Sequence, residues 1–235
     1  MENSKRTQPK KLAILAFGGI GTRFGWVKPK QFYPIGSKTL LEYLVEKFLN
    51  FNLFDHILVI SPLNYIEETK ELLKRHKVHI TCGGDTRAHS IRNGLLFFQE
   101  YIRDIKDDDI LLIHDGARPN VDKEIIKKNL ELCEKHGAVV TAIKSFDTVS
   151  YSENGYKIEE IIERSKINLH QTPQTFKFGI IKNAIEKNVE KLHLFSDDAS
   201  LVIASGYDVF YVEGSRLNIK ITTKEDLRII LNLIS

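Results

Sequence analysis

Short, almost wholly apolar runs alternate along this chain with longer stretches whose apolar residues recur every three or four positions. "KLAILAF" (11–17) reads as a buried strand. Beyond a glycine-bearing loop, "TLLEYLVEKFL" sets Leu40, Leu41, Leu44, Val45, Phe48 and Leu49 on one face of a helix. The strand "HILVIS" (56–61), a helix around "NYIEETKELLKRH" and the short strand "VHITC" (78–82) follow. A helix is expected from about Thr86 to Ile102, then the strand "DILLIH" (109–114). Asp122 is placed to cap a helix running to about His136, and "GAVVTAI" (137–143) is the next apolar strand. After a break, the chain returns through "QTPQTF", a helix near 179–189, a short helix from "SDDASLVIASG" and the strand "DVFYVE" (208–213). It closes through "NIKIT" on "TKEDLRIILNLI", where Thr223 and Asp226 make a candidate capping box.

This β–α alternation predicts an α/β fold, a mostly parallel sheet with helices on both faces. Ligands of such sheets bind beyond the carboxyl ends of the strands. The loop "GGIGTRFGWVKPKQF" (18–32), "CGGDTR" and "HDGARP" all fall there. Between Phe146 and Ile162 the alternation breaks: "DTVSY" and "YKIEEII" flank "SENG", the pattern of a hairpin arm at about 146–170. The apolar side of such an arm needs a covering surface, which a second copy of the chain or its own domain can supply. Residues 1–10 read as a flexible polar tail and 11–235 as a single domain.

Composition narrows the class. The 235 residues are 42% hydrophobic and 28% charged, ordinary for a globular protein, and a formal charge of +3 is too slight to argue nucleic-acid binding. The two cysteines, Cys82 and Cys133, are far apart and fit reduced thiols better than a disulfide framework or zinc site. The N-terminus lacks the apolar segment of a secretion signal, and no stretch approaches the roughly 20 apolar residues of a membrane span. A soluble, cytoplasmic protein is expected.

The chemistry concentrates in the first loop. Its glycines allow close approach of a ligand or positive φ, and Arg23, Lys28 and Lys30 beside exposed N–H groups make an anion site. The string is neither a P-loop nor a GxGxxG dinucleotide fingerprint, and the second strand ends in "LVIS" without a ribose-binding carboxylate. That disfavours an NAD-linked enzyme. A structural glycine turn leaves the three cations unexplained; a triphosphate held during transfer explains them. The eight histidines lack zinc-ligand spacing and read as surface or core residues. Asp115, at the end of its strand, suits a Mg²⁺–phosphate or ribose contact, or else caps the next turn; Asp197 and Asp198 read as N-cap residues. No GxSxG or Cys–His pattern points to a hydrolase.

Six strings in order, "GGIGTRFGWVKPKQF", "CGGDTRAHSIRNGL", "HDGARP", "HQTPQTF", "SDDASLV" and "NIKITTKEDL", resemble the 2-C-methyl-D-erythritol 4-phosphate cytidylyltransferases. The related ribitol-5-phosphate cytidylyltransferases share several of them. The resemblance runs from about Lys11 to the C-terminus and implies a Rossmann-like nucleotidyltransferase fold, CTP and an alditol phosphate as substrates, Mg²⁺ or another divalent cation, and a homodimer joined through the arm. It implies catalytic roles for Arg23, Lys30 and Lys220 on the triphosphate. It implies nucleotide contacts at Phe17, Gly18, Gly19, Gly21, Gly84, Asp85, Ser90, Asp115 and Gly116, with Asp115 near the metal. Arg118, Thr148, Arg164 and Thr172 match residues that hold the alditol phosphate, some of them contributed in the family by the partner subunit.

The "AHSIRNGL" loop and Ala117 resemble the methylerythritol branch more than the ribitol branch. A nucleotide-binding module without activity is disfavoured by the intact Arg23, Lys30 and Lys220. Three departures stand out. Phe17-Gly18-Gly19 replaces a usual Ala-Ala-Gly, and Gly116-Ala117 a usual Ala-Ala; these glycines are expected to loosen preorganisation. "LHQTPQ" carries a histidine where an aromatic residue is commoner, near the alditol site.

Overall fold

The computed structural model describes residues 8–18 and 28–234. Lys11–Ala16 forms strand β1, and Pro34–Ile35 (β2) and Lys38–Thr39 (β3) make a two-stranded ribbon. Leu40–Phe51 is helix α1, followed by His56–Ser61 (β4), Ile66–Leu73 (α2), His79–Cys82 (β5) and Arg87–Tyr101 (α3). Then come Ile110–Asp115 (β6), Lys123–His136 (α4) and Ala138–Lys144 (β7). Val149–Tyr151 (β8) pairs antiparallel with Glu160–Ile162 (β9) as a separate ribbon, the expected arm. Asn168–Lys177 (β10), Phe178–Lys187 (α5), Asp198–Ala204 (α6), Phe210–Glu213 (β11) and Lys224–Ile234 (α7) complete the chain.

Seven strands form one sheet in the order β11-β7-β10-β6-β1-β4-β5. All run parallel except β10, which lies antiparallel between β6 and β7. Strand alternation divides the core into two layers. Leu12, Ile14, Leu58, Ile60, Leu111 and Ile113 face α3, α5 and α6, while Ala13, Leu15, Ile57, Val59, Ile110 and Leu112 face α1 and α4. Apolar side chains on both faces are what a parallel sheet covered on both sides requires. A third cluster seats Ile221, Leu227 and Ile230 against Leu40, so α7 anchors the segment that precedes it.

The predicted helix ends are built as expected. Thr86 caps α3 by accepting from His89 N, and Asp122 caps α4 through Glu124 N. Thr223 and Asp226 exchange their side chains with each other's backbone N–H at the start of α7. Leu49 is half-buried at the edge of the α1 stripe. Cys133 is buried, its thiol pushed up to about 12 by desolvation, whereas Cys82 on the edge strand β5 is only partly covered. Among the described residues no helix is long and apolar enough to cross a membrane.

Candidate active site

The carboxyl ends of β1, β5 and β6 open onto a cavity of roughly 280 Å³. Phe17, Gly84, Asp115, Gly116, Lys30 and Lys220 are among its walls. Ser90, from the first turn and a half of α3, accepts from Gly84 N at 3.0 Å and donates to Thr86 O at 2.9 Å, which fixes the 84–86 loop. A Cβ on Gly83 or Gly84 would lie 2.8 Å from Ser90 Oγ or 2.7 Å from His89 Cβ, so the loop is glycine because α3 is close. Gly18 lacks positive φ; a Cβ there would lie 3.1 Å from Ser90 Oγ, so close approach is its reason too.

Asp115 sits at the junction of three cations. Its Oδ2 accepts from Lys220 Nζ at 2.7 Å, and its Oδ1 lies 3.3 Å from Arg87 Nε. Arg118 Nε stands 3.9 Å from Oδ2. Burial alone would raise the carboxyl; Arg87 and Lys220 overcome it and hold it well below the ordinary carboxylate value. Asp115 therefore does not cap the next turn with its side chain. Arg87 Nη1 in turn meets Asp198 Oδ2 at 2.7 Å. Burial works against the Arg87 charge, yet Asp198 and Asp115 keep it above its ordinary value.

Lys30 donates to Ile221 O at 2.6 Å, so the first loop is tied to the segment that carries Lys220. Asn218, wholly buried, donates from its side-chain amide to Thr172 O at 2.8 Å, and its main-chain carbonyl accepts from Arg118 Nη1 at 2.7 Å. With Ile221 N bonded to Ala117 O on the other side, Lys220 is held between two fixed points. A second fixed path crosses the sheet ends. Buried His114 donates from Nε2 to Arg118 O at 2.9 Å, because a carbonyl can only accept. Its Nδ1 must then accept from the Thr172 hydroxyl at 3.1 Å, and that oxygen accepts from Asp115 N at 3.0 Å. Desolvation pushes the imidazole down to about 4, consistent with this neutral tautomer.

A second cavity, of roughly 460 Å³, shares Arg87, Asp115 and Lys220 with the first and continues past Arg118 and Thr172 to His170 and Asp197. Two adjoining hollows thus share one cluster of positive charge. Such a site can hold two anions against their mutual repulsion.

The family model described as IspD, 2-C-methyl-D-erythritol 4-phosphate cytidylyltransferase, matches residues 12–233. The chain belongs to this family. Similar curated relatives carry that same description. The one from Thermosipho africanus (strain TCF52B) is 45% identical over 220 residues, 93% of this chain and 95% of the relative. The one from Thermosipho melanesiensis (strain DSM 12029 / CIP 104789 / BI429) is 43% identical over 223 residues, with the same coverage of both. The solved Francisella tularensis 2-C-methyl-D-erythritol 4-phosphate cytidylyltransferase (IspD) superposes with a TM-score of 0.79 at 30% identity, covering 94% of this chain and 98% of that one.

In this IspD-family chain, Phe17, Gly18, Lys30, Gly84, Asp85, Ser90, Asp115, Gly116 and Lys220 line the first cavity, and Arg118 and Thr172 the second. Gly19, Gly21 and Arg23 lie outside the described residues. Thr148 and Arg164 line neither cavity; Arg164 donates to Phe146 O at 3.0 Å at the base of the arm.

At Gly116 the structure gives a steric reason for glycine. A Cβ there would fall 2.2 Å from Phe17 Cδ1, and Gly116 has no positive φ. The Phe17 ring occupies that space, so the two departures from the family pattern fit each other. Asp197 is an N-cap as expected, but Asp198 is not: its carboxyl is buried against Arg87. Arg87 itself was missed by sequence reasoning. A cation in the first turn of α3, which holds no acidic residue, runs against the helix dipole and is the signal of a carboxylate partner elsewhere.

Proposed function

We propose that the chain transfers CMP from CTP to the phosphate of 2-C-methyl-D-erythritol 4-phosphate. The products are pyrophosphate and 4-diphosphocytidyl-2-C-methyl-D-erythritol, in the non-mevalonate isoprenoid pathway. The observation that carries the reading is the pair of adjoining cavities that share Arg87, Asp115 and Lys220. CTP occupies the first, where the 84–86 backbone fixed by Ser90 reads the cytosine edge through its N–H and C=O groups. The acceptor phosphate enters the second, near Arg118 and Thr172.

An acceptor phosphate oxygen attacks the α-phosphorus of CTP. The bond from that phosphorus to the oxygen bridging toward the β-phosphorus breaks, and its electron pair leaves with pyrophosphate. A phosphate monoester is already an anion at neutral pH, so no general base is required. The protein aligns the reactants and neutralises charge, with Lys30 and Lys220 on the triphosphate and Arg23 in the same role from the first loop.

The residues fit a divalent cation carried in by phosphates better than one caged by protein. Among the described residues no group of three or more His, Cys, Asp or Glu side chains could hold a metal ion. Asp115, at the cavity wall, would exchange Lys220 or Arg87 for the ion, and Mg²⁺ commonly takes one or two carboxylates together with substrate phosphates. Mg²⁺ bound there would offset charge on the triphosphate.

The exposed apolar side chains of the arm support a homodimer. Tyr156 is 97% exposed, and Ile158 and Ile161 stand exposed beside it. A partner's arm would cover them and bring its Thr148 and Arg164 toward the acceptor cavity.

Incubation with CTP, Mg²⁺ and 2-C-methyl-D-erythritol 4-phosphate tests the reaction, the product being read by ³¹P NMR as a new diphosphodiester. Lys30→Ala should leave the fold intact and lower kcat by about 10²–10³-fold, as for loss of one charge-stabilising donor. Near-normal turnover in that variant would refute the role of Lys30.

A further inference from the structure

The second cavity has an end that the phosphate chemistry does not use. Strand β10 leaves its ladder between His170 and Gln174, where its register against β7 shifts, and the displaced residues line this hollow. Most polar side chains there are committed within the protein. Gln171 donates to Ser215 O at 2.9 Å, and Thr172 sits between His114 and Asp115. Gln174 donates to Asp197 Oδ2 at 3.0 Å and accepts from Ala199 N at 3.0 Å.

His170 is different. Its Nδ1 lies 2.9 Å from Asp197 Oδ2, and because a carboxylate only accepts, Nδ1 carries the proton. Asp197 is itself fixed, accepting from Ser200 N at 2.8 Å as the cap of α6 and from Gln174. Tyr211 meets the imidazole edge-on, with ring centroids 6.0 Å apart. The ring is thus oriented from two sides while its side chain stays one-third exposed on the cavity wall. That leaves Nε2, at the far end of the ring from Asp197, as a directed hydrogen-bonding atom. A carboxylate hydrogen-bonded to one ring nitrogen fixes the orientation of the imidazole and so the direction in which the other nitrogen points.

We infer that His170, oriented by Asp197, is a specificity-determining residue whose Nε2 hydrogen-bonds a hydroxyl of the polyol acceptor. The inference rests on the acceptor assignment above. It follows from the division of the cavity: Arg87, Arg118 and Lys220 cluster around Asp115 and suit the phosphate, whereas the His170–Asp197 end offers hydrogen bonding without an unpaired cation. A polyol phosphate has both characters in one molecule. Asp197 is a positioning residue in this arrangement, since its oxygens are occupied by His170, Gln174 and Ser200.

Steady-state kinetics of His170→Ala and His170→Gln, with 2-C-methyl-D-erythritol 4-phosphate varied at saturating CTP, test this. Loss of one neutral hydrogen bond predicts a five- to tenfold rise in acceptor KM for His170→Ala, at roughly unchanged kcat and CTP affinity. His170→Gln, whose amide nitrogen or oxygen can take the place of Nε2, should recover at least part of that rise. An acceptor KM within twofold of the unaltered chain, or a fall in kcat alone, would overturn the inference and leave the proposed reaction standing. Absence of turnover by the unaltered chain would overturn both.

Discussion

The fit between Phe17 and Gly116 can be measured directly. Main-chain bonding places β1 beside β6, with Gly116 N donating to Ala16 O at 2.9 Å, and brings the Phe17 ring over residue 116. A Cβ at 116 would lie 2.2, 2.4 and 2.6 Å from Phe17 Cδ1, Cε1 and Cγ, all far inside contact distance. Gly116→Ala does not strain φ, so its cost is the displacement of a ring that is 3% exposed. Overpacking of this kind costs about 1–3 kcal/mol. Phe17→Ala leaves a void and costs about 3–5 kcal/mol. In the double variant the new methyl enters the space the ring vacates. The overpacking cost then disappears and the void shrinks, so the double variant should be more stable than the sum of the single effects by about 2 kcal/mol. Urea unfolding of the four proteins gives the coupling. Effects that add to within about 0.5 kcal/mol would refute the compensating fit.

Three further outcomes follow from the site. Arg87→Met strands Asp198, which is 2% exposed, and should destabilise the fold by about 3 kcal/mol, with Arg87→Met/Asp198→Asn recovering at least half in urea unfolding; no recovery would mean the pair is not coupled. His114 is held neutral in the fold down to about pH 4, whereas in the unfolded chain it takes up a proton near 6.5. Stability is therefore lost as pH falls from 6.5 toward 4, by about 2 kcal/mol between pH 7 and pH 5 with EDTA present, and His114→Gln should flatten that slope. Arg164→Ala should raise the acceptor KM with CTP affinity nearly unchanged; the reverse pattern would place the arm elsewhere.

What the sequence concealed is mostly what distant segments do to one another. The strands β1, β4, β6 and β7 were legible because full burial makes them continuous apolar runs. The capped helices were legible because capping is local. Strand β10 was not: "NLHQTPQTFK" holds a proline and several polar residues, and it is buried only because β6 and β7 enclose it. Lys30, Lys220 and Asp115 could be named as a group from the family resemblance. That Lys220 touches Asp115 across 105 residues, or that Asn218 ties Arg118 to Thr172, has no local signature. Asp198 looked like a second cap because it follows one, and only tertiary packing turns its carboxyl toward Arg87.

The central claim is the choice of reactants. Pyrophosphate release should be followed with CTP and Mg²⁺ while 2-C-methyl-D-erythritol 4-phosphate and D-ribitol 5-phosphate are offered in parallel. The account predicts rapid release with the methylerythritol phosphate and little with the ribitol phosphate. Release with ribitol 5-phosphate alone would contradict it.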